Sequence, residues 1–271
     1  MTSTSSDLVN DFGDGEEIGS HHYRAWVGPP EYYDRIGALQ FCALATLGLR
    51  EHHALLDVGC GSLRGGRLSV MYLRPGNYYG IEPAAWALED GKQAHLGDGL
   101  LAGKQPTFSN DDNYTLTTFG RQFDYVMVHS VFTHAPAVQI SRCLAQAREV
   151  LHAGSVLVGT FLEGEADHVG DDWVYPWVTE YTKDTITRLV REAGLACVHL
   201  DWPHPFDQRW FLAVDPATPI DVDGLDLGSA FSYPTYLQDE LEQYSGPRRS
   251  HVDYLREDLA KRAEGKRHLP R

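Results

Sequence analysis

At 271 residues, with 42% hydrophobic and 23% charged side chains, the chain has the size and composition of one large globular α/β domain with some decoration. Its formal net charge of −15 leaves no basic face for nucleic acid, and no run of about 18 apolar residues is present to cross a membrane. Cys42, Cys60, Cys143 and Cys197 form no CxxC pair, and residues 1–17 lack a basic stretch followed by an apolar core, so a cytoplasmic protein with reduced thiols is expected.

Residues 1–20 are polar and acidic and read as a flexible arm. The domain proper is expected over 21–215. Residues 216–271 begin loop-like, continue as polar helical sequence and read as a C-terminal helical extension. Pro29-Pro30 before Glu31 opens a helix over 31–47, in which Tyr33, Ile36, Leu39, Gln40, Ala43 and Leu47 recur at helical spacing before Gly48. This helix either covers the sheet or closes as a lid, with Tyr33 or Arg35 pointing inward. A strand over 54–59 runs into the turn Gly59-Cys60-Gly61. A helix from Leu63 comes next, with Leu68, Val70, Met71 and Leu73 as its apolar face and Pro75-Gly76 as its end. Residues 77–81 form a second strand ending in Glu82-Pro83, and 84–95 are helical. Residues 97–105 make a glycine-rich connection, and 107–109 form a third strand ending in Asn110-Asp111-Asp112.

Residues 123–129 are a fourth, strongly apolar strand that breaks at Ser130 and leads into a helix reaching about 151. A fifth strand covers 154–161. The stretch 163–182 is long, acidic and aromatic, the profile of a lid or an acceptor wall. A helix over 183–193 precedes strands over 195–200 and 209–214, which lack a helix between them and so pair antiparallel. Strands alternating with helices predict a mostly parallel sheet covered on both faces.

In such a sheet a ligand lies beyond the carboxyl ends of the strands. Gly59 and Gly61 have no Cβ, so they can take positive φ and let a ligand approach the backbone. Glu82, about 20 residues on at the end of the next strand, is placed to accept both hydroxyls of a ribose. An acid or amide among Asn110, Asp111 and Asp112 can read an adenine amino group. The dinucleotide fingerprint would need glycine at position 64, where Arg64 stands. Asp57 just before the turn repels a pyrophosphate but suits an α-amino group or a sulfonium.

With these residues the sequence resembles the class I S-adenosylmethionine-dependent methyltransferases. Leu56-Asp57-Val58-Gly59-Cys60-Gly61 is similar to the family's first motif, Glu82 to its ribose-binding acid, Asp111 or Asp112 to its adenine contact, and Phe123-Asp124-Tyr125-Val126 to its fourth-strand motif. The corner Leu151-His152-Ala153-Gly154-Ser155 lacks the proline and second glycine usual there. The resemblance covers about residues 30–215. It implies a Rossmann-like, doubly wound sheet of seven strands, the last antiparallel, with helices on both faces. It also implies S-adenosylmethionine as cofactor and S-adenosylhomocysteine as product.

The expected cofactor set is Tyr33, Asp57, Gly59, Cys60, Gly61, Arg64, Glu82, Pro83, Asn110, Asp111, Asp112, His129 and Ser130, with Arg64 either meeting the donor's carboxylate or exposed in a first turn. His129 or His134 could act as general base, since imidazole titrates near neutral pH; His134 could instead cap or pack the following helix, and His129 is read rather as a cofactor contact than as a base, or as a hydrogen-bonded strand-end residue. Glu163, Trp173, Tyr175, Trp177 and His204 are candidates for an acceptor wall, or for loop packing. No His, Cys, Asp and Glu set has metal-ligand spacing, so no metal is expected. The expected activity is methyl transfer to a small-molecule acceptor, at a hydroxyl or carboxyl oxygen of a secondary metabolite, and the N- or C-terminal helices offer surfaces for a homodimer. The competing readings are a cofactor-binding member of the fold that does not methylate, a NAD-dependent oxidoreductase disfavoured by Arg64, and a binding module assembled through the C-terminal helices.

Overall fold

The structure is a computed structural model that describes residues 11–223 and 225. The first half of the expected arm and the helical part of the C-terminal extension therefore lie outside the described residues. Residues 11–20 form turns tied to residues 23–25: the Tyr23 hydroxyl donates to the Asp11 carbonyl at 3.1 Å, and the Gly19 amide donates to the Ala25 carbonyl at 2.8 Å.

In chain order the elements are α1 (Tyr33–Thr46), β1 (Leu55–Val58), α2 (Gly66–Tyr72), β2 (Tyr78–Ile81), α3 (Ala85–His95), α4 (Gly97–Lys104) and β3 (Thr107–Ser109). Then come β4 (Phe123–Val128), α5 (Ala137–Val150), β5 (Leu151–Glu163), β6 (Glu180–Tyr181), α6 (Lys183–Glu192), β7 (Ala196–Leu200) and β8 (Gln208–Val214). The sheet has the order β3-β2-β1-β4-β5-β8-β7, with β6 paired to the end of β5. All pairings are parallel except those of β8, which runs antiparallel between β5 and β7. The chain reverses its direction of travel across the sheet between β1 and β4, so the crevice opens beyond those two strands.

Alternation along β1 and β4 explains why both carry apolar residues on both faces. Leu55, Tyr125 and Met127 face the cluster built with Ile36, Leu39 and Leu44 of α1 and Val70 of α2. Leu56, Val126 and Val128 face the opposite cluster, with Ile140, Cys143, Leu144 and Val150 of α5 and Ile186 and Val190 of α6. Burying a side chain such as Ile140 or Leu144 contributes roughly 1.5–3 kcal/mol, which is why the three- and four-residue spacing of α5 decides which way that helix turns.

Four expectations need correction. The stretch expected as a glycine-rich connection is the helix α4: Leu100 and Leu101 pack against the core, and Lys104 Nζ donates to the Met71 and Leu73 carbonyls at 2.6 and 2.7 Å. Tertiary packing there outweighs the poor helix propensity of its glycines. Helix α2 begins at Gly66 rather than Leu63, because Leu63 takes a positive φ of 63° in the preceding turn, and Met71 is exposed instead of facing the core. Strand β5 starts at Leu151, earlier than expected. The sheet has eight strands rather than seven, because two residues at the end of the 163–182 stretch add the short parallel β6.

Candidate active site

A cavity of about 410 Å³ lies where the switch in sheet order predicts, lined by the ends of β1, β2 and β4. Its floor is the glycine turn. Gly59 and Gly61 have φ of +70° and +55°; an added Cβ would come within 2.5 Å of Val131 Cγ2 at the first and 2.4 Å of Val27 Cγ1 at the second. Both positions therefore need glycine for conformation and for space. The Glu82 carboxylate is buried and accepts from the Gly61 amide at 2.9 Å and the Ala84 amide at 2.8 Å. Each of its oxygens keeps a second lone pair for a ligand hydroxyl. Asp57 accepts from the Tyr78 hydroxyl at 2.7 Å, and burial pushes its carboxyl up to about 6.

Arg64 is buried in the same lining. Its Nη1 donates to the Val27 carbonyl, and desolvation brings the guanidinium down to about 10. Its Nε is buried and has no partner in the structure. An unpaired guanidinium N–H is costly to bury unless an anion meets it, and the carboxylate of an amino-acid moiety is such an anion. The cradle thus fits S-adenosylmethionine group by group: a carboxylate for the ribose, an acid for the amino group and a cation for the carboxylate.

Below the cradle His129 is enclosed. Its Nδ1 lies 2.9 Å from the Gln40 amide and 3.1 Å from Ser130 Oγ, and its Nε2 lies 3.1 Å from His204 Nε2. The Phe206 amide can only donate, and it meets His204 Nδ1 at 3.1 Å. Gln40 reaches His129 Nδ1 through its Nε2, and Arg64 Nη2 lies 3.5 Å from the same nitrogen. Both ring nitrogens of His129 are engaged inside the protein, and burial holds its pKa well below the ordinary value.

Two segments close over the cavity. Residues 21–30 cross it as a strap: the His21 ring stacks on Trp86 of α3 at 3.8 Å, and Trp26 packs edge-on against Trp86 and Tyr175. The Tyr175 hydroxyl donates to the Trp26 carbonyl, joining the strap to the 164–179 loop. That loop also clamps His134. Val174 donates its amide to the His134 carbonyl at 3.1 Å, and His134 Nδ1 lies 2.6 Å from the Trp177 carbonyl. A carbonyl can only accept, so the His134 proton sits on Nδ1 and the basic lone pair on Nε2. Burial lowers its pKa to about 4, so the ring is neutral at neutral pH.

The structure brings together on the cavity wall Asp57, Gly59, Cys60, Gly61, Arg64, Glu82, Pro83, Asp111, Asp112, His129, Ser130, His134, Trp173 and Tyr175. Others of the expected residues lie elsewhere. Tyr33 is fully buried behind the turn, its hydroxyl bonded to the Ser62 carbonyl and to His95 Nε2, both at 2.8 Å. Asn110 donates to the Glu82 carbonyl at 2.8 Å and acts by holding that strand end. Asp111 does line the cavity, but its carboxylate accepts from the amides of Asn113 and Thr115 and so shapes the turn it sits in. Glu163 pairs with Arg209 and Lys183 at the sheet edge. Trp177 is 78% exposed outside the lining, and His204 lies behind His129. The lining also holds residues not expected from sequence: Trp26, Val27, Gly28 and Pro29 of the strap, together with Gln40, Tyr114, Gln139 and Gln208. The aromatic content of residues 21–30 was the signal for the strap; the glutamines carry no local signal.

A family model described as a methyltransferase domain matches residues 56–157. No curated protein matches the sequence. The fold is similar to magnesium protoporphyrin IX methyltransferase (ChlM) of Synechocystis PCC 6803 with bound S-adenosylhomocysteine, at 16% identity and a TM-score of 0.53, over 78% of this chain and 100% of that one. It is also similar to the glycopeptide N-methyltransferase MtfA in complex with S-adenosylhomocysteine, at 13% identity and 0.53, over 66% and 90%. A third similar structure is DesVI of Streptomyces venezuelae, at 18% identity and 0.50, over 79% and 100%. The glycine turn, Glu82 and the sheet order thus stand within a methyltransferase domain, on a fold shared with structures solved with bound S-adenosylmethionine and S-adenosylhomocysteine.

Proposed function

We propose that this enzyme methylates a hydroxyl oxygen of a small-molecule acceptor, within secondary metabolism in the cytoplasm, with His134 as the general base. The observation that carries this reading is the 2.6 Å contact from His134 Nδ1 to the Trp177 carbonyl, which reserves Nε2 for accepting a proton on a side chain that lines the cavity. A hydroxyl must lose its proton as its oxygen is methylated, whereas a carboxylate needs no base. The lining has one cation, Arg64, against Asp57, Glu82, Asp111 and Asp112, which disfavours an anionic acceptor. Names of similar proteins point the same way in size: one acts on a protoporphyrin, another on a glycopeptide.

The bound cofactor supplies a methyl group on a sulfonium, an electrophile whose leaving group is a neutral thioether. Glu82 and Asp57 hold its ribose and amino group, and Arg64 Nε holds its carboxylate. The strap and the 164–179 loop exclude water through the Trp26–Tyr175 junction. Most of the rate then comes from proximity and orientation. His134 Nε2 takes the acceptor's proton, and the Trp177 carbonyl steadies the imidazolium that results. His129 keeps the turn after β4 in shape, Ser130 included, and takes no proton.

The test is a mass-spectrometric screen of hydroxylated aromatic and alicyclic compounds with S-adenosylmethionine, reading both S-adenosylhomocysteine and the methylated product. The reading requires an O-methyl product and a loss of about 10²–10⁴ in kcat for His134→Gln. Methyl on nitrogen or carbon, or an unimpaired His134→Gln, would refute it.

A further inference from the structure

The cavity of about 410 Å³ is at the small end of the range for sites that hold one drug-sized ligand, and its floor is the cofactor cradle. What lies at the mouth is therefore informative. Of the eight exposed large apolar side chains among the described residues, four stand on the 164–179 loop: Val169, Trp173, Trp177 and Val178. Trp173 and Val178 line the cavity, and Trp177, 78% exposed, sits between Pro176 and Val178, which do so too. Apolar side chains of one loop thus stand both on the cavity wall and on the outside of the protein. The stretch 163–182 that carries it contains six acidic residues and no lysine or arginine. Exposed tryptophans at such a density mark a recognition surface rather than ordinary solvent-facing sequence.

We propose that Trp173, Trp177 and Val178 form a subsite at the rim of the cavity for an apolar extension of the acceptor, which makes the acceptor an elongated amphiphile, uncharged or cationic beyond its reactive end. The inference rests on the assignment of a hydroxyl acceptor only for which end enters. The apolar part lies across the indoles, the hydroxyl end reaches His134, and the loop acids turn away a terminal carboxylate or phosphate. The loop that receives the extension also holds the base, since Trp177 offers its indole outward and its carbonyl to His134.

The test is calorimetric titration of the S-adenosylhomocysteine-loaded protein with 4-methyl-, 4-butyl- and 4-hexylphenol. The subsite requires affinity to rise roughly twofold to fourfold per methylene. The rise should flatten in the double variant Trp173→Ala, Trp177→Ala. Replacing the terminal methyl of the hexyl chain by a carboxylate should weaken binding about tenfold at low salt and less at high salt, where exposed charges are screened. Affinity independent of chain length, or a slope that survives in the double variant, would overturn the subsite. Failure of the hydroxyl assignment reads out separately: the phenols would bind with the chain-length slope yet yield no O-methyl product with S-adenosylmethionine.

Discussion

Three ionisable residues of the site differ in what they can do because their partners differ. His129 has both nitrogens occupied, whereas His134 has one, and that alone separates a structural imidazole from a basic one. Because burial lowers His134 to about 4, it stays in its basic form across neutral pH. The acidic limb of kcat should therefore fall near pH 4, well below the usual imidazole value, and be missing from the residual activity of His134→Gln; a pH–rate profile in both proteins checks this. Asp57 behaves oppositely. Burial raises it to about 6, so it gains its charge only as pH rises through that value. Affinity for S-adenosylhomocysteine, whose amino group this charge attracts, should climb between pH ~5 and pH ~7 and lose that climb in Asp57→Asn, as calorimetry would reveal.

Among the elements, the turn after β1 and the strap are fitted to one another. Gly61 has space for no side chain because Val27 of the strap lies against it, and Arg64 in the same turn donates to the Val27 carbonyl. Gly61→Ala should cost roughly 1–3 kcal/mol through its positive φ and the displaced strap. Chemical denaturation would measure that loss, and titration a weaker hold on S-adenosylhomocysteine. Trp26 of the strap is packed between Trp86 and Tyr175 on the cavity wall. Backbone amides of residues 18–30 should consequently exchange more slowly once S-adenosylhomocysteine is bound, and Trp26→Ala should release it faster; hydrogen exchange and stopped-flow displacement are the measurements.

For the molecule as a whole, acid is the vulnerable side. Burial holds both His95, whose Nε2 meets the Tyr33 hydroxyl, and His134 at about 4. Unfolded, each takes up its proton near pH ~6.5. Between those values the unfolded chain binds more protons, so this part of the stability is complete above pH ~6.5 and is lost as pH falls towards about 4. Asp57 opposes the trend, since its raised pKa makes the folded state the better proton binder below about 6. Glu82, also raised by burial, acts with Asp57, while His129, lowered by burial, acts with the two histidines, each of which contributes a loss of about 2–3 kcal/mol by pH ~4.5. Denaturant titrations across this range should show the wild type losing stability more steeply than the variant His95→Gln, His134→Gln. Among the described residues no helix is long and apolar enough to cross a membrane, and all four cysteines are free thiols.

The strands, their alternation with helices and the cradle at their ends were legible in the sequence, because each rests on local rules. Apolar alternation in 55–58 and 123–128 comes from strand geometry, the glycines at 59 and 61 from the turn, and Glu82 from its position at the end of the next strand. The antiparallel last strand was legible from the missing crossover helix. What the sequence could not determine was set by contacts between distant residues. The partner that fixes the His134 tautomer lies 43 positions away, and the one that occupies His129 lies 75 away. The helix over 97–104 depends on packing that its glycines conceal, and Glu163 is drawn off the cavity by Arg209 from another strand. Local propensity and spacing decided the sheet and the glycine turn with Glu82 beside it; only tertiary structure decided which histidine on the cavity wall keeps a free lone pair.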